Sequence, residues 1–226
     1  MTLRLAVSAL SLAGFAVAGG PQPAGQQRSV VGGRVEIGVP ISTRRATNTY
    51  SRGIHGAKLA PISELRNVVV YLKDAPKRPV APVRAEIGQQ DENFVPRVVA
   101  VPVGSTVAFP NNDQIYHNVF SLSRVKTFNL GKYPRGQSRS VTFDKPGMVR
   151  VFCEIHSHMS ATVMVFDHPW FAVPTTEGRF ELVAVPPGDR QITAWHERLG
   201  DTTLSVRVEA GRASAADFVL PVPTQP

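Results

Sequence analysis

The chain has 226 residues, 42% of them hydrophobic, and carries a formal net charge of +8 at pH 7. That length has room for two small β-sandwiches of about 100 residues each. A single cysteine excludes an internal disulfide. No basic helix with interleaved aromatic residues is visible, so we expect no nucleic-acid partner.

Residues 1–18 have the pattern of a secretory signal. Arg4 precedes an apolar core, and the segment ends in Ala16-Val17-Ala18. This matches an A-x-A cleavage site, and the apolar core is too short to remain as a membrane anchor. We therefore expect cleavage before Gly19, a periplasmic or secreted mature protein, and no stable membrane insertion.

Beyond the signal, no helical period is found, and the pattern indicates an all-β protein. Residues 19–29 are rich in Gly, Pro and Gln and are interpreted as a flexible lead-in. The region 30–80 holds N-terminal strands, predicted at 30–37 and 67–72 and separated by a polar loop at about 42–64.

The segment from Val149 to Phe166 contains the only cysteine, Cys153, followed by His156, His158 and Met159. Runs rich in Val, Phe and Thr flank these residues and predict two strands joined by a short loop. A thiolate, an imidazole and a thioether are soft or borderline ligands, the kind that select copper. In an oxidising compartment a lone thiol is buried, paired with another chain or bound to a metal, and these neighbours favour the metal.

A second imidazole is needed to complete a His2Cys site with a weak axial sulfur at the spacing Cys153-x2-His156-x2-Met159. His117 is the candidate, because it follows the apolar run Val98–Phe109 and a turn rich in Asn and Asp. His158 is the alternative to His156, since in a tight turn either ring could face the metal.

The Asn/Asp turn, His117-Asn118-Val119 and the downstream Cys-x2-His loop together resemble the plastocyanin and pseudoazurin branch of the cupredoxins. The match covers roughly residues 86–166, and we place the domain at 84–166. It implies a Greek-key β-sandwich with one type 1 copper ion, bound by His117, Cys153 and His156 with Met159 in the axial position. The resemblance favours His156 over His158, and it assigns to Asn118 the tie between the two ligand loops. Met159 stands closer to the histidine than in plastocyanin-like loops.

Other residues near these ligands have simpler interpretations. Asn112 and Asp113 are expected to shape the turn before His117. Three aromatic residues are interpreted as core or as apolar shielding of the metal: Tyr116, Phe120 and Phe152. Two further His/acid groups are interpreted as surface or packing residues: Asp167-His168 and Trp195-His196-Glu197. Five of the basic residues between His117 and Cys153 predict a solvated surface or steering toward an acidic partner: Arg124, Lys126, Lys132, Arg135 and Arg139.

Residues 169–222 are predicted to form a second β domain. Glu177-Gly178-Arg179-Phe180 leads to a turn at Pro186-Pro187-Gly188, which resembles carboxypeptidase-regulatory, transthyretin-like domains. The strands of residues 30–72 resemble the first half of such a domain. Two arrangements are open: one small sandwich split around an inserted cupredoxin, or two domains in series with an N-terminal extension packed on the copper sandwich.

These patterns predict an exported type 1 copper protein, not an enzyme, that carries single electrons. Proteins of this layout are similar to those called methylamine utilization or plastocyanin-like proteins, and the expected partners are a c-type cytochrome or a dehydrogenase. Alternatives are copper storage or delivery, a zinc site without Met159, and a structural or adhesive β-sandwich. A cysteine hydrolase is least supported, because no oxyanion-hole loop or helix N-terminus follows Cys153.

Overall fold

The computed structural model describes residues 29–38 and 64–220. The predicted signal, the lead-in up to residue 28 and nearly all of the polar loop lie outside these ranges. Within them the chain forms strands and one 3-10 turn at Glu64–Asn67, which confirms the all-β prediction. None of the helical structure in these ranges is long and apolar enough to cross a membrane.

The strands are β1 (Val30–Ile37), β2 (Val68–Leu72), β3 (Arg84–Glu86), β4 (Gly88–Gln90), β5 (Asn93–Val95), β6 (Val98–Pro102), β7 (Ser105–Pro110), β8 (His117–Ser123), β9 (Lys126–Tyr133), β10 (Ser138–Phe143), β11 (Gly147–Phe152), β12 (Ser160–Phe166), β13 (Phe171–Ala172), β14 (Arg179–Val183), β15 (Gly188–His196), β16 (Gly200–Val208), β17 (Ala213–Ala215) and β18 (Phe218–Leu220).

Strands β3 to β12 form the first sandwich. A five-stranded sheet in the order β6-β12-β11-β8-β9 shares one core with a three-stranded sheet in the order β10-β7-β3. Inward side chains alternate along the strands, as in β7, where every second residue is buried. The core is built mainly from Val and Phe, residues that suit a pleated, half-buried surface.

The apolar run Val98–Phe109 supplies two strands of this sandwich, which lie in different sheets. They are separated at Gly104, whose φ of +86° is a conformation that residues with a side chain rarely adopt. The turn there carries the chain from β6 in the larger sheet to β7 in the smaller one.

The remaining strands form a second sandwich, with one sheet in the order β14-β1-β17, to which β18 is joined through β1, and another in the order β13-β2-β15-β16. Strand β1 is antiparallel to β14 and parallel to β17 and β18. Strand β2 lies between β13 and β15. The strands before and after the first sandwich in sequence thus share one core, which includes Val31, Leu72, Trp170, Ile192 and Phe218.

The close fit of the two halves is visible at Gly33 in β1. A Cβ atom at this position would lie 2.1 Å from the carbonyl oxygen of Ala216. Such a distance is a steric clash with backbone, so only glycine allows the C-terminal segment to approach β1 this closely.

The two sandwiches pack on each other through a third, smaller cluster. It contains Val69 of the second sandwich and Val98, Met164 and Phe166 of the first. The Phe166 ring stacks on Phe171 with a centroid separation of 4.5 Å. Each large apolar side chain buried in this way contributes about 1.5–3 kcal/mol.

Candidate metal centre

The predicted ligands lie at one end of the first sandwich, at the ends of neighbouring strands. His117 is the first residue of β8, and Cys153 directly follows β11. These two strands are adjacent in the sheet, with Phe120 opposite Phe152. The sheet therefore brings together a histidine and a cysteine that are 36 residues apart in sequence.

Three donor atoms converge at this end of the sandwich. Cys153 Sγ lies 3.9 Å from Nδ1 of His117 and 3.9 Å from Nδ1 of His156, and the two nitrogens are 3.0 Å apart. Among the described residues, these three form the one group of His, Cys, Asp and Glu with donor atoms all within 4.8 Å. Donors that share one ion through bonds of about 2.0–2.3 Å need separations of this size.

Met159 closes the loop that begins at Cys153. Its backbone N–H donates to the carbonyl oxygen of His156 at 3.0 Å, and its own carbonyl oxygen accepts from the Cys153 N–H at 3.4 Å. The Met159 side chain is 1% exposed and packs in the same core cluster as Cys153. The thioether is thus buried at the base of the loop that carries Cys153 and His156.

The structure separates the two histidines of this loop. His156 belongs to the group of three donors, whereas Nε2 of the exposed His158 lies 3.0 Å from the carbonyl oxygen of Glu92. The two rings are 6.2 Å apart between centroids. The geometry therefore places His156, the preferred residue, beside His117 and Cys153, and places His158 outside.

Asn118 contacts both sides of the site. Its Oδ1 accepts from the backbone N–H of Glu154 in the ligand loop at 3.3 Å, and its Nδ2 donates to Oδ1 of Asn129 in β9 at 2.8 Å. The residue is 1% exposed. Asn118 therefore links β8, which begins with His117, to the loop that carries Cys153, which is the role that the resemblance implies.

Asp113 holds the far side of the His117 ring, a role that sequence reasoning missed. Its Oδ2 lies 2.7 Å from Nε2 of His117. The carboxylate also accepts the backbone N–H groups of Asp91 at 2.6 Å and Glu92 at 2.9 Å. Because a carboxylate accepts, the proton of the neutral ring sits on Nε2, and Nδ1 keeps its lone pair toward Cys153.

The sequence carries only a weak signal for this contact. Asp91 and Glu92 both have positive φ, 50° and 55°, in the turn between β4 and β5. This turn directs two successive backbone N–H groups at Asp113, which lies 22 and 21 residues further along the chain. The turn before His117 is instead shaped by Asn111, whose Oδ1 accepts from the Asp113 N–H at 2.9 Å.

The surroundings favour a thiolate at Cys153. Burial opposes the charged form, but the hydrogen bond with His117, which donates from Nδ1 when the ring is protonated, and the backbone N–H groups of Asn118, His156 and Ile155 outweigh it and lower the thiol pKa to about 6. For His117, burial lowers the pKa, but contacts with Cys153 and Asp113 raise it above the ordinary value. The metal-free site therefore already favours the thiolate, the form of cysteine that binds metal cations.

The aromatic residues beside the ligands differ in burial. Tyr116 is 58% exposed, so it does not belong to the core. Phe120 and Phe152 are half-buried and face each other with centroids 6.0 Å apart. This pair lies on the two neighbouring strands, β8 and β11, that carry or lead to His117 and Cys153.

The other His/acid groups lie in and beside the second sandwich. The His196 ring is 1% exposed, accepts the backbone N–H groups of Arg198 and Leu199, and faces Glu64. His168 is buried, and its ring stacks on Trp170. Both histidines are packing residues. Glu197 instead reaches across to the first sandwich, where it pairs with two arginines.

Residues 81–166 match the family model of copper binding proteins, plastocyanin/azurin family. This segment, which contains the whole donor group, is therefore a cupredoxin domain. The chain as a whole adds to it the second sandwich described above.

Solved structures similar to the chain include a purple cupredoxin from Nitrosopumilus maritimus, with 23% identity over 36% of this chain and 99% of that one, and a TM-score of 0.34. Amicyanin from Paracoccus versutus has 21% identity over 43% of this chain and 97% of its own, with a TM-score of 0.34. The copper-containing nitrite reductase from Thermus scotoductus has 28% identity over 39% of this chain, with a TM-score of 0.35, and the match spans only 25% of that enzyme. No curated protein matches.

Proposed function

We propose that the protein is an exported type 1 copper protein that carries single electrons between periplasmic redox partners. The observation that carries this proposal is the convergence of Cys153 Sγ with Nδ1 of His117 and of His156 inside a cupredoxin domain. A buried thiolate with two imidazoles is the donor set typical of such sites.

In this proposal His117, Cys153 and His156 would hold a copper ion, with the Met159 thioether as the fourth ligand. A bound copper ion would supply the one-electron chemistry through its Cu(I) and Cu(II) states. The chain supplies a rigid frame, because two donors stand at strand ends and the loop is closed by backbone hydrogen bonds. A frame that moves little when the charge of the site changes keeps the reorganisation energy low.

Electron exchange needs a surface close to the ligands. His156 is the half-buried ligand, and its neighbour Ile155 is 41% exposed. Beside His117, Ile115 and Tyr116 are 40% and 58% exposed. We assign this apolar surface to the docking of a partner such as a c-type cytochrome or a dehydrogenase, because exposed apolar groups clustered at a site mark interaction surfaces.

Charge supports the same role. Of the five basic residues named above, Lys126 pairs with Asp144 at 3.0 Å, and four are exposed: Arg124, Lys132, Arg135 and Arg139. A surplus of positive charge on this stretch would speed encounters with an acidic partner. The secretory pattern of residues 1–18 is in keeping with a periplasmic or secreted location.

For the second sandwich we propose a transthyretin-like domain formed by residues 30–80 and 169–222, with the cupredoxin domain of residues 84–166 inserted. The pairing of β1 with β14, β17 and β18 supports this division. No catalytic role is proposed for either domain.

The test is the visible and electron paramagnetic resonance spectrum after addition of Cu(II) to the mature protein. The proposal expects an intense thiolate-to-copper band that disappears in Cys153→Ser and shifts in Met159→Ala, with His158→Ala as the unchanged control. Tight copper binding without this band would favour storage or delivery, and no metal binding would leave a structural role.

A further inference from the structure

The ligand loop of residues 153–159 has a narrow base. It leaves β11 at Phe152 and rejoins β12 at Ser160, and these two residues are directly paired across the two strands. Any group that fixes this pair therefore fixes both ends of the loop that carries Cys153, His156 and Met159.

Glu197 reaches this base from the other sandwich. It directly follows β15, and its Oε2 accepts from Nε of Arg97 at 2.9 Å while its Oε1 forms an ion pair with Nη2 of Arg150 at 2.7 Å. Arg97 lies just before β6 and Arg150 lies in β11, both in the first sandwich. One carboxylate of the second sandwich thus binds two guanidinium groups of the first.

Each arginine also contacts a residue at one end of the ligand loop. Nη2 of Arg97 donates to Oγ of Ser160 at 2.9 Å. The guanidinium of Arg150 lies over the Phe152 ring, 5.7 Å from its centroid. We call this set of Glu197, Arg97 and Arg150 the Glu197 clamp.

The Glu197 carboxylate is nearly buried, so its loss would leave the two arginine charges without a partner. The Glu197 side chain is 8% exposed, and the two arginine side chains are 41% and 44% exposed. Nε of Arg150 is buried without a hydrogen-bond partner, so Glu197 is the group that orients its guanidinium. Without the carboxylate, the two positive charges of Arg97 and Arg150 would lie close together on the first sandwich with no counter-charge, which is unfavourable when charges are partly desolvated.

We propose that Glu197 is a positioning residue of the metal centre, through which the second sandwich holds the base of the ligand loop. This inference rests on the proposed function, since it assumes that the loop binds copper. The clamp itself is a property of the chain with or without the metal.

The experiment compares Glu197→Gln with Glu64→Gln in the full chain. Glu64 is a matched control, because it accepts from Arg198 and faces His196 next to Glu197 but contacts no residue of the ligand loop. Amide hydrogen exchange of residues 153–160 in the metal-free protein and the copper dissociation rate in the loaded protein are the two readouts.

We expect Glu197→Gln to speed both the exchange of the loop and the release of copper about tenfold, as loss of a charge-assisted double contact would. Glu64→Gln should lower the melting temperature without affecting either readout. Equal effects of the two variants, or an unchanged loop in Glu197→Gln, would overturn the inference.

The two proposals fail separately. If the wild-type protein gives no type 1 copper spectrum, the proposed function fails, and the exchange of the metal-free loop still decides whether the clamp holds it. If Glu197→Gln does not fold, Ser160→Ala removes only the hydrogen bond from Arg97 and should still speed exchange at the loop.

Discussion

The carboxylate of Asp113 lies 2.7 Å from Nε2 of His117, on the opposite side of the ring from Cys153. The ring is 0% exposed, so no solvent competes for this contact. Asp113 therefore sets the orientation and the tautomer of His117 and makes Nδ1 a stronger electron donor.

Replacing Asp113 with Asn should weaken copper binding about 10–100-fold, the usual cost of losing such an outer partner. It should also make the reduction potential more positive, because an anion that stabilises Cu(II) is removed. Competition with a chelator and redox titration measure the two effects. Asp91→Asn is the control, since Asp91 contacts Asp113 through its backbone N–H. Equal affinities for the two variants would contradict the role of the Asp113 carboxylate.

The thiol of Cys153 should titrate at unusually low pH in the metal-free protein. Its pKa is about 6 in the folded chain, against an ordinary value of 9.0. Thiolate ultraviolet absorbance followed against pH measures the midpoint, and the denatured protein is the reference. A folded midpoint close to the denatured one would contradict the hydrogen bonds proposed to hold the thiolate.

The same shift predicts a pH-dependent stability. Between pH 6 and 9 the unfolded state binds more protons at this thiol than the folded state does. The contribution of Cys153 to the free energy of unfolding is therefore present above pH 9 and is lost as the pH falls through about 6. Urea titrations of wild type and Cys153→Ser across this range isolate the contribution of the thiol.

Met159 should have separable roles in packing and in metal binding. Because it is 1% exposed, Met159→Ala should cost about 2–5 kcal/mol in the free energy of unfolding of the metal-free protein. Met159→Leu keeps the volume and should cost less than about 1.5 kcal/mol. Both variants should shift the copper spectrum, because both lack the thioether. An unshifted spectrum in Met159→Leu would remove Met159 from the ligand set.

The split second sandwich can be tested at two adjacent glycines. Gly33→Ala should be strongly destabilising, because the new Cβ would lie 2.1 Å from the Ala216 carbonyl oxygen. Gly32→Ala is the control, since its Cβ would make an ordinary contact of 3.6 Å with the Phe180 carbonyl oxygen. Melting temperatures compare the two variants.

Limited proteolysis should not release residues 169–226 as a folded piece, because β1 lies between β14 and β17. Such a release, or equal stability of the two variants, would contradict the split.

The sequence predicted the donor group because its signals are local. Cys153, His156 and Met159 lie within one loop, and His117 is marked by the Asn-rich turn before it. The contacts that orient the supporting residues are not local. Asp113 is only four residues from His117, but its carboxylate is oriented by two residues with positive φ in a distant turn. Glu197 depends on how the two sandwiches pack, and neither contact leaves a periodic pattern in the chain.

The strands were predicted for the same kind of reason. Alternating apolar residues mark β14, which has one face in a core. A continuous apolar run marks β2, which is buried on both faces because Val69 packs against the first sandwich while its neighbours pack in the second core. The parallel pairing of β1 with β17 and β18 could not be derived from alternation, which is the same for every partner strand. The need for glycine at position 33 also could not be predicted, because it arises from contact with the backbone of Ala216 in a distant part of the chain.

The pairing of β2 with β13 also sets an order of assembly. Tyr71 lies opposite Phe171, so the chain enters and leaves the first sandwich at neighbouring points. When the chain emerges with its N-terminus first, the first sandwich has all its strands once Phe166 has emerged, whereas β1 and β2 wait for partners that extend to Leu220. Since domains fold largely as units, the first sandwich folds first, and its closed ends then bring the two halves of the second sandwich together.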